Sequence, residues 1–350
     1  MPKSMIITGP YTVEIMEYED PPLEPRQVLV KTELASGKHG TTTAGFDGSV
    51  FRGQDFDQRM RLFVPKQEKG ERPKSKPDPF RAHGTSGVGV VQQVGGEVTR
   101  WKRGDRVFGH MTVKETNISH EDHLWELGDI PPEEALCIEP AYVSIHCVRE
   151  GNVRYGDSVA VVGLGAIGLL AVVIARQSGA EKVFAVDPLA IRREWAAANG
   201  ADAVFDPTES DPAVPIHEMT GGKGVDVAIE VSGAYPALNT AIRCARICGT
   251  VCSAGFYQGE SHGLWLGREW HHNRLNIVVP HGCGWAHPPR DFPRWDRDRA
   301  NDVLVAMMRQ GKLRAPGLVA PIVEIEEMQG VFDLIRDDAG KVIKYGVRFG

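Results

Sequence analysis

The chain has 350 residues, of which 42% are hydrophobic and 25% are charged, and its formal net charge at pH 7 is −6. This composition is typical of a soluble globular protein of about two domains. The negative charge gives no electrostatic basis for binding nucleic acid, and glycines interrupt the longest apolar stretches, so that none predicts a membrane span.

The first residues and the cysteines both favour a cytoplasmic location. Residues 1–20 are strand-like and acidic, without the basic start, apolar core and small-residue cleavage site of a signal peptide. The six cysteines are scattered and form no Cys-x-x-Cys pair, so their spacing does not match a structural zinc cluster. Most lie in apolar segments, where buried reduced thiols are expected.

The N-terminal part of the chain has the pattern of a β-rich domain. Residues 1–35 alternate between short strands and turns, and residues 28–34 have the period of a half-buried strand. The polar stretch 46–82 is predicted to be a loop with some local helix, and a loop of that length is usually functional or mobile. Residues 87–110 predict strands joined by glycine-containing turns, and residues 132–150 have helical spacing.

From residue 151 to about 285, strands and helices alternate, which predicts a parallel sheet covered by helices on both faces. The predicted strands are 158–162, 182–186, 203–205, 225–231, 249–254 and 275–280. After them, residues 297–311 predict a helix, residues 322–335 a strand and a helix, and residues 344–349 a final strand.

A glycine motif after the first of these strands carries the strongest functional pattern. The apolar strand is followed by Gly163-Leu-Gly165-Ala166-Ile167-Gly168 and then by an alanine-rich helical pattern. Gly163 permits the tight turn, Gly165 lets the backbone approach a pyrophosphate, and Gly168 lets the helix pack close to the strand. The free N–H groups of the first helical turn would bind the pyrophosphate. The alternative is a merely structural βαβ unit.

The ends of the other strands add candidate cofactor contacts. Asp187 ends the second strand, where a carboxylate accepts hydrogen bonds from the adenosine ribose and repels a 2′-phosphate, which favours NAD over NADP. Strand carboxyl ends line the cofactor crevice in doubly wound sheets, so we also predict cofactor contacts at Ser232, Gly255 and Phe256. At each of these positions a plain turn is the alternative.

The order of these elements resembles the medium-chain dehydrogenase/reductase superfamily over nearly the whole chain. The matching motifs are Gly89-Val-Val-Gln-Gln-Val-Gly95, Gly104-Asp-Arg-Val107, Ile138-Glu-Pro140, Gly163–Gly168 and Lys341-Val-Ile-Lys344. The segment Glu139-Pro-Ala-Tyr-Val-Ser-Ile-His146 is most similar to the polyol, sorbitol-type branch.

The resemblance implies an α/β protein of two domains with the active site in the cleft between them. A GroES-like β-rich catalytic domain would span residues 1–150, completed by 286–350, and a Rossmann NAD-binding domain would span 151–285. The resemblance also implies that Arg192 touches the adenosine ribose, whereas Arg193 is expected at the surface. The expected assembly is a homodimer or homotetramer.

The sequence departs from the family at its zinc ligands. The first ligand segment reads His39-Gly40-Thr41-Thr42, the second reads Gly84-Thr85-Ser86, and only Glu139 keeps a possible ligand. A catalytic zinc needs about three protein ligands, and hydroxyl groups are poor substitutes, so we predict that no metal is bound. The alternative is an atypical site of His39, Glu139 and a shifted His83. The four-cysteine structural zinc lobe of the family is also missing.

Without zinc, side chains must handle the proton of the substrate alcohol. His39 is the predicted acid/base, because its unperturbed pKa of about 6.5 suits proton transfer near neutrality. By the resemblance, Thr41 stands at the hydroxyl proton-relay position. Lys38 could add positive charge against a developing alkoxide, and Glu139, if close, would raise the pKa of His39. The alternatives are that His39 and Glu139 are structural.

The leading functional prediction is a zinc-independent, NAD-dependent oxidoreductase that interconverts a secondary alcohol and a ketone. Its substrate would be a small molecule: a sugar, polyol or cyclitol. Three alternatives stay open, namely reduction of an activated C=C bond, oxidation of a pigment-precursor side-chain alcohol, and a non-catalytic NAD-binding regulatory protein. Asp187 argues against the first of them, because the quinone-reductase branch commonly uses NADPH.

Overall fold

The computed structural model describes residues 1–38, 54–65, 83–257, 259–282 and 287–350. Two predicted catalytic residues, His39 and Thr41, lie outside these ranges. The chain divides into two compact units. The first comprises Met1–Leu136, Gln258–Glu260 and Val319–Gly350, and the second comprises Cys137–Tyr257 and Ser261–Leu318.

The described ranges contain seventeen strands and nine α-helices, numbered in chain order. The strands are β1 Lys3–Gly9, β2 Thr12–Glu17, β3 Gln27–Ser36, β4 Gln54–Asp57, β5 Leu62–Pro65, β6 Ser86–Val94, β7 Arg106–Gly109, β8 Thr116–His120, β9 Leu124–Glu126, β10 Ser158–Val162, β11 Lys182–Val186, β12 Ala203–Phe205, β13 Val225–Glu230, β14 Ala245–Ser253, β15 Asn276–Val278, β16 Val319–Glu324 and β17 Lys344–Arg348. The helices are α1 Pro132–Ala135, α2 Ile138–Glu150, α3 Ala166–Gln177, α4 Ala190–Ala198, α5 Ala213–Met219, α6 Tyr235–Cys244, α7 Glu269–His272, α8 Arg297–Arg309 and α9 Met328–Asp337.

The first unit is built on a seven-stranded sheet with the order β16-β17-β3-β6-β7-β9, in which β8 also pairs with β3. Its pairs are antiparallel except for β16 and β17. The period-two pattern of β3 places Val28, Val30 and Leu34 in the interior, while Lys31 is exposed. Alternate side chains of a strand point to opposite faces, so one face of β3 contributes to the core.

The described part of the polar stretch 46–82 contradicts the prediction of a loop with local helix. Strands β4 and β5 pair as an antiparallel hairpin, with Phe56 opposite Phe63 and their rings 5.0 Å apart. The turn between them is closed by Asp57, whose carboxylate accepts hydrogen bonds from the backbone N–H groups of Arg59 and Met60. A cross-strand aromatic pair and an Asx turn therefore stabilise strands in a segment whose composition is that of a loop.

The second unit confirms the predicted α/β fold. Its six-stranded parallel sheet has the order β12-β11-β10-β13-β14-β15. Strands β11 and β12 are added on one side of β10 and strands β13 to β15 on the other, so the strand order reverses between β10 and β13. Buried apolar side chains from β10, β11, β13 and β14 pack beneath the helices. Ligands of doubly wound sheets bind at such a reversal, outside the carboxyl ends of the strands.

The boundaries between the two units differ from those drawn at residues 150 and 285. Helix α2 and the segment 287–318 both belong to the second unit. Helix α2 packs against α3 and α8, and the hydroxyl of Ser144 in α2 donates to the carbonyl oxygen of Ile167 at 2.7 Å. Tertiary packing places α2 with the sheet that follows it.

His146 on α2 makes the stability of this unit sensitive to acid. The side chain is 2% exposed and packs edge-on against Tyr142, and neither ring nitrogen has a hydrogen-bond partner in the described part of the chain. Burial and the positive charge of Arg149 lower the pKa of His146 from the usual 6.5 to about 4. The folded chain therefore disfavours a protonated imidazole that the unfolded chain accepts.

We expect the free energy of unfolding to fall as the pH drops from 6.5 towards 4, by about 3 kcal/mol from this group. Above pH 6.5 the imidazole is neutral in both states and contributes no pH dependence. The variant His146→Leu should lose this part of the pH dependence. Urea unfolding of both proteins at pH 7 and pH 4.5 measures the difference, and equal pH dependence would show that the folded chain accommodates the charged ring.

Candidate functional site

A tight turn follows β10 and begins the glycine loop. Gly163 has a φ of 91°, a backbone conformation that favours glycine. A Cβ on Gly163 would lie 2.7 Å from the Cβ of Ser232, which lies in the loop after the neighbouring strand β13. A side chain at position 163 would therefore strain the backbone and collide with this second loop.

The other two glycines of the motif have opposite surroundings. A Cβ on Gly168 would overlap the carbonyl oxygen of Gly163, so the helix α3 lies in direct contact with the turn. A Cβ on Gly165 would meet no atom within 4 Å. Gly165 is the N-cap of α3, and Ala166 and Ile167 form its first turn. The surface at Gly165 is thus open to a ligand, beside the free N–H groups of a long helix.

Asp187, directly after β11, is 3% exposed and supports the glycine loop. One carboxylate oxygen accepts a hydrogen bond from the backbone N–H of Leu164 at 2.7 Å, and the other accepts from Leu189 at 2.9 Å. Arg192 places a guanidinium nitrogen 3.5 Å from the first of these oxygens. A carboxylate has about four acceptor sites, so these bonds leave capacity for a further donor.

Arg193, which was expected at the surface, is only partly exposed. Its side chain is 18% exposed, forms an ion pair with Asp206 at 2.8 Å and donates to the backbone carbonyl of Asp187 at 2.7 Å. Asp206 follows β12, the next strand of the sheet. Arg193 therefore joins two strand ends, which a local sequence pattern does not reveal.

The predicted contacts after β13 and β14 lie side by side. The hydroxyl of Ser232 donates to the carboxylate of Glu230 and accepts from the N–H of Ala234 at 3.1 Å, so it is engaged within the protein. Gly255 lies against Gly233, and a Cβ on Gly255 would overlap the Gly233 nitrogen. Phe256, in the same loop, is 42% exposed.

Glu230 was not among the predicted residues, although it is fully buried at the end of β13. The available signal was a carboxylate at the carboxyl end of a mainly apolar strand, Val225–Glu230, in which Asp226 is the only other acidic residue. A buried carboxylate requires hydrogen-bond donors around it, and those donors come from two separate loops.

The predicted catalytic residues are divided between the units. Lys38 is half-buried just after β3 in the first unit, and Glu139 is 7% exposed in the first turn of α2 in the second unit. His39 and Thr41 lie outside the described residues.

The segment Gly84-Thr85-Ser86, which we predicted to correspond to the family's second zinc ligand, contains two hydroxyl groups. The hydroxyl of Ser86 donates to the carbonyl oxygen of Leu136 at 2.7 Å. The Thr85 hydroxyl oxygen is buried and has no hydrogen-bond partner in the part of the chain that the structure describes.

The ring of His83, the third ligand of the atypical zinc alternative, lies against Gly37. A Cβ on Gly37 would overlap the His83 Nε2 and would lie 2.5 Å from the Tyr345 hydroxyl oxygen. The backbone of His83 pairs with Met5 and Val113 on either side. These two backbone hydrogen bonds fix the position of the His83 backbone between Met5 and Val113.

Comparisons with known proteins agree with this fold. A family model described as zinc-binding dehydrogenase matches residues 166–294. The chain is 33% identical to D-guloside 3-dehydrogenase of Escherichia coli (strain K12), over 99% of this chain and 100% of that protein. It is 30% identical to D-xylulose reductase A of Aspergillus oryzae, over 67% of this chain and 62% of that protein. The structure of 2R,3R-butanediol dehydrogenase from Bacillus subtilis is similar over 100% of both chains, with a TM-score of 0.75 and 22% identity.

The chain belongs to the medium-chain dehydrogenase/reductase superfamily, in the family of zinc-type alcohol and polyol dehydrogenases. It is an enzyme, an oxidoreductase of secondary alcohols that uses a nicotinamide dinucleotide, NAD or NADP, and a small-molecule substrate. Among the described residues, no helix is long and apolar enough to cross a membrane.

Proposed function

We propose that this enzyme is a zinc-independent, NAD-dependent dehydrogenase that interconverts a secondary alcohol and a ketone on a sugar, polyol or cyclitol. The observation that carries the proposal is the open glycine loop at Gly165, with the buried carboxylate of Asp187 directly behind it. The remaining support comes from the donor groups at the family's zinc positions and from the relatives.

The residues at the strand ends fit a dinucleotide. The N–H groups of Gly165, Ala166 and Ile167 would hold the pyrophosphate, and the Asp187 carboxylate would accept the adenosine ribose hydroxyls. When bound, the nicotinamide supplies or accepts the hydride. The protein's task is to orient that ring, to exclude water and to move the alcohol proton.

The charge of Asp187 supports NAD over NADP. The carboxylate is buried, and a 2′-phosphate next to it would bring two negative groups into one pocket. Arg192, which could otherwise bind a phosphate, lies 3.5 Å from the same carboxylate. The positive charge of Arg192 is therefore already balanced by the Asp187 carboxylate and is less available to a 2′-phosphate.

Replacement of Asp187 should separate its two roles. Asp187→Ala removes the acceptor of the Leu164 N–H, so we expect about tenfold weaker NAD binding and a narrower preference over NADP. Asp187→Asn keeps one oxygen for the Leu164 N–H but removes the charge, so it should retain more NAD affinity while also binding NADP better. Titrations with NADH and NADPH measure both effects. Equal or tighter binding of NADPH by the wild type would contradict the NAD assignment.

The donor chemistry at the lost ligand positions supports a reaction without zinc. Thr85 and Ser86 offer neutral hydroxyls, and Ser86 already donates to a backbone carbonyl. Zinc in proteins is held by thiolate, imidazole and carboxylate groups, so this segment does not fit the metal. We assign the alcohol proton to His39, with Thr41 as its relay, and electrostatic support to Lys38 and Glu139.

The names of the relatives support a carbohydrate substrate. One relative is a D-guloside 3-dehydrogenase and another a D-xylulose reductase. Glycosides with a secondary hydroxyl on the sugar ring are therefore the first substrate class to test.

The test is a hydride-transfer assay with the full-length protein, NAD and a panel of glycosides, free sugars, polyols and cyclitols. We expect NADH to form with at least one glycoside or sugar. Chelators should not change this activity, and the purified protein should contain less than one zinc ion per chain. Stoichiometric zinc that chelators remove together with activity would overturn the zinc-free assignment. Dinucleotide binding without turnover of any compound would favour a non-catalytic role, and reduction of an activated alkene would favour the C=C reductase alternative.

A further inference from the structure

A buried carboxylate ties together the loops that follow β13 and β14. Glu230 is 0% exposed and accepts hydrogen bonds from the backbone N–H groups of Ser232 at 2.7 Å and Gly233 at 3.1 Å. The hydroxyls of Ser232 and Tyr257 also donate to it. Burial raises the pKa of Glu230, whereas these hydrogen bonds lower it. The Glu230 carboxylate is therefore held by donors from both loops.

The second loop is anchored through Tyr257. Besides donating to Glu230, the Tyr257 oxygen accepts from the Ser253 hydroxyl at 3.1 Å. The Tyr257 ring stacks on Tyr235, with the centroids 5.3 Å apart and the planes inclined by 28°. Gly255 lets the two loops touch, because a Cβ there would overlap both the Gly233 nitrogen and the Glu230 carboxylate. The two loops therefore form one rigid wall.

The sheet order shows which half of a dinucleotide this wall would meet. Strand β11, which precedes Asp187, lies on one side of β10, and strands β13 and β14 lie on the other. The glycine loop follows β10, between these sides. With the adenosine ribose at Asp187 and the pyrophosphate at the glycine loop, the nicotinamide half must extend over the ends of β13 and β14.

We propose that Glu230 is a positioning residue that holds the Ser232–Gly233 and Gly255–Phe256 segments where the nicotinamide half of the dinucleotide binds. The inference rests on the proposed function, because it requires that a dinucleotide occupies the crevice. Glu230 does not itself touch the ligand, since it is fully buried. It acts through the backbone of the two loops and through the exposed ring of Phe256.

Three variants and a matched control test this role. Glu230→Ala removes the acceptor of both loops, and Tyr257→Phe removes one donor while keeping the stacked ring. Glu230→Gln keeps the shape and one acceptor oxygen, and its amide can donate to the Tyr257 oxygen, so it should rescue much of the loss. Tyr235→Phe is the control, because it removes a hydroxyl from the partner ring without touching the bond to Glu230.

The two ligands are NADH and ADP-ribose, which lacks the nicotinamide. We expect Tyr257→Phe to weaken NADH binding about tenfold, Glu230→Ala more, and Glu230→Gln only about threefold, with the KM for NAD rising in parallel. ADP-ribose affinity should stay within about twofold of the wild type in all of them. If Glu230→Ala does not fold, Tyr257→Phe against Tyr235→Phe still decides the result.

Two results would overturn the positioning role. One is NADH affinity in Tyr257→Phe equal to that of the Tyr235→Phe control. The other is an equal loss of NADH and ADP-ribose affinity, which would show general damage to the unit. Failure of the wild type to bind either NADH or NADPH would instead contradict the proposed function, and so the two failures are distinguishable.

Discussion

Replacing Gly165 with alanine should abolish tight dinucleotide binding without harming the fold, and the same replacement at Gly168 should destabilise the domain itself. A Cβ at Gly165 has no neighbour within 4 Å in the protein, but it would stand where the pyrophosphate must approach the helix. We expect NADH affinity to fall roughly 100-fold, while the free energy of unfolding falls by only about 1 kcal/mol, because alanine is a poorer N-cap than glycine.

At Gly168 the added methyl group meets the carbonyl oxygen of Gly163. The carbonyl oxygen belongs to the backbone of the turn, and the methyl group is fixed rigidly to the helix backbone, so no flexible side chain can move away. Overpacking of this kind costs about 1–3 kcal/mol and more where the backbone must shift. We expect Gly168→Ala to unfold at a clearly lower denaturant concentration and to lose dinucleotide binding as a consequence.

Gly330→Ala is the matched control, because Gly330 lies in helix α9 of the other unit and its Cβ would also meet no atom within 4 Å. Alanine is favoured over glycine inside helices, so this variant should be slightly more stable and bind NADH normally. Urea unfolding and NADH titration of the three variants measure these effects. Wild-type NADH affinity in Gly165→Ala would show that the pyrophosphate does not use the glycine loop.

Replacing His39 with alanine should slow turnover by roughly 10²–10⁴-fold, the usual contribution of a positioned acid or base. We proposed His39 because it is the titratable side chain in the segment that resembles the family's first zinc-ligand segment, and no hydroxyl nearby in sequence can replace it as a base. NADH affinity should hardly change, because the glycine loop belongs to the other unit. Thr41→Val should also slow turnover, by interrupting the route of the proton to solvent.

The pH dependence of kcat/KM distinguishes an acid/base role of His39 from a structural role, because loss of a structural residue would leave the pH profile unchanged. The wild type should show a group that titrates near neutrality, and that group should disappear from the profile of His39→Ala. Full activity of His39→Ala with an unchanged profile would make His39 a structural residue. The acid or base would then have to be sought at Glu139, Lys38 or in the stretch 46–82.

The sequence-based predictions were confirmed where a feature depends on residues close together in the chain. The apolar run before Gly163 and the glycine spacing predicted strand β10, the turn and helix α3, because each depends on residues close in the chain. The prediction of a loop with local helix failed for the described part of the stretch 46–82. Its polar composition is typical of a loop, whereas the β4–β5 hairpin is stabilised by the cross-strand pair of Phe56 and Phe63.

The surroundings of individual charges were much less predictable. Arg193 was expected at the surface and instead bonds Asp206, which follows a different strand. Asp187 was chosen for the ribose alone, yet its carboxylate also accepts the N–H of Leu164 in the glycine loop. In both cases the partner is brought near by the parallel pairing of strands and not by proximity in sequence.

By itself, the sequence determined the alternation of strands and helices after residue 151, the glycine loop and the family. Each of these depends on periodicity or on glycine spacing within a short segment of the chain. Only the tertiary structure decided that α2 packs with the second unit and that Glu230 joins the loops after β13 and β14. A buried carboxylate needs several donors at once, and those donors become neighbours only when separate strand ends meet at one edge of the sheet.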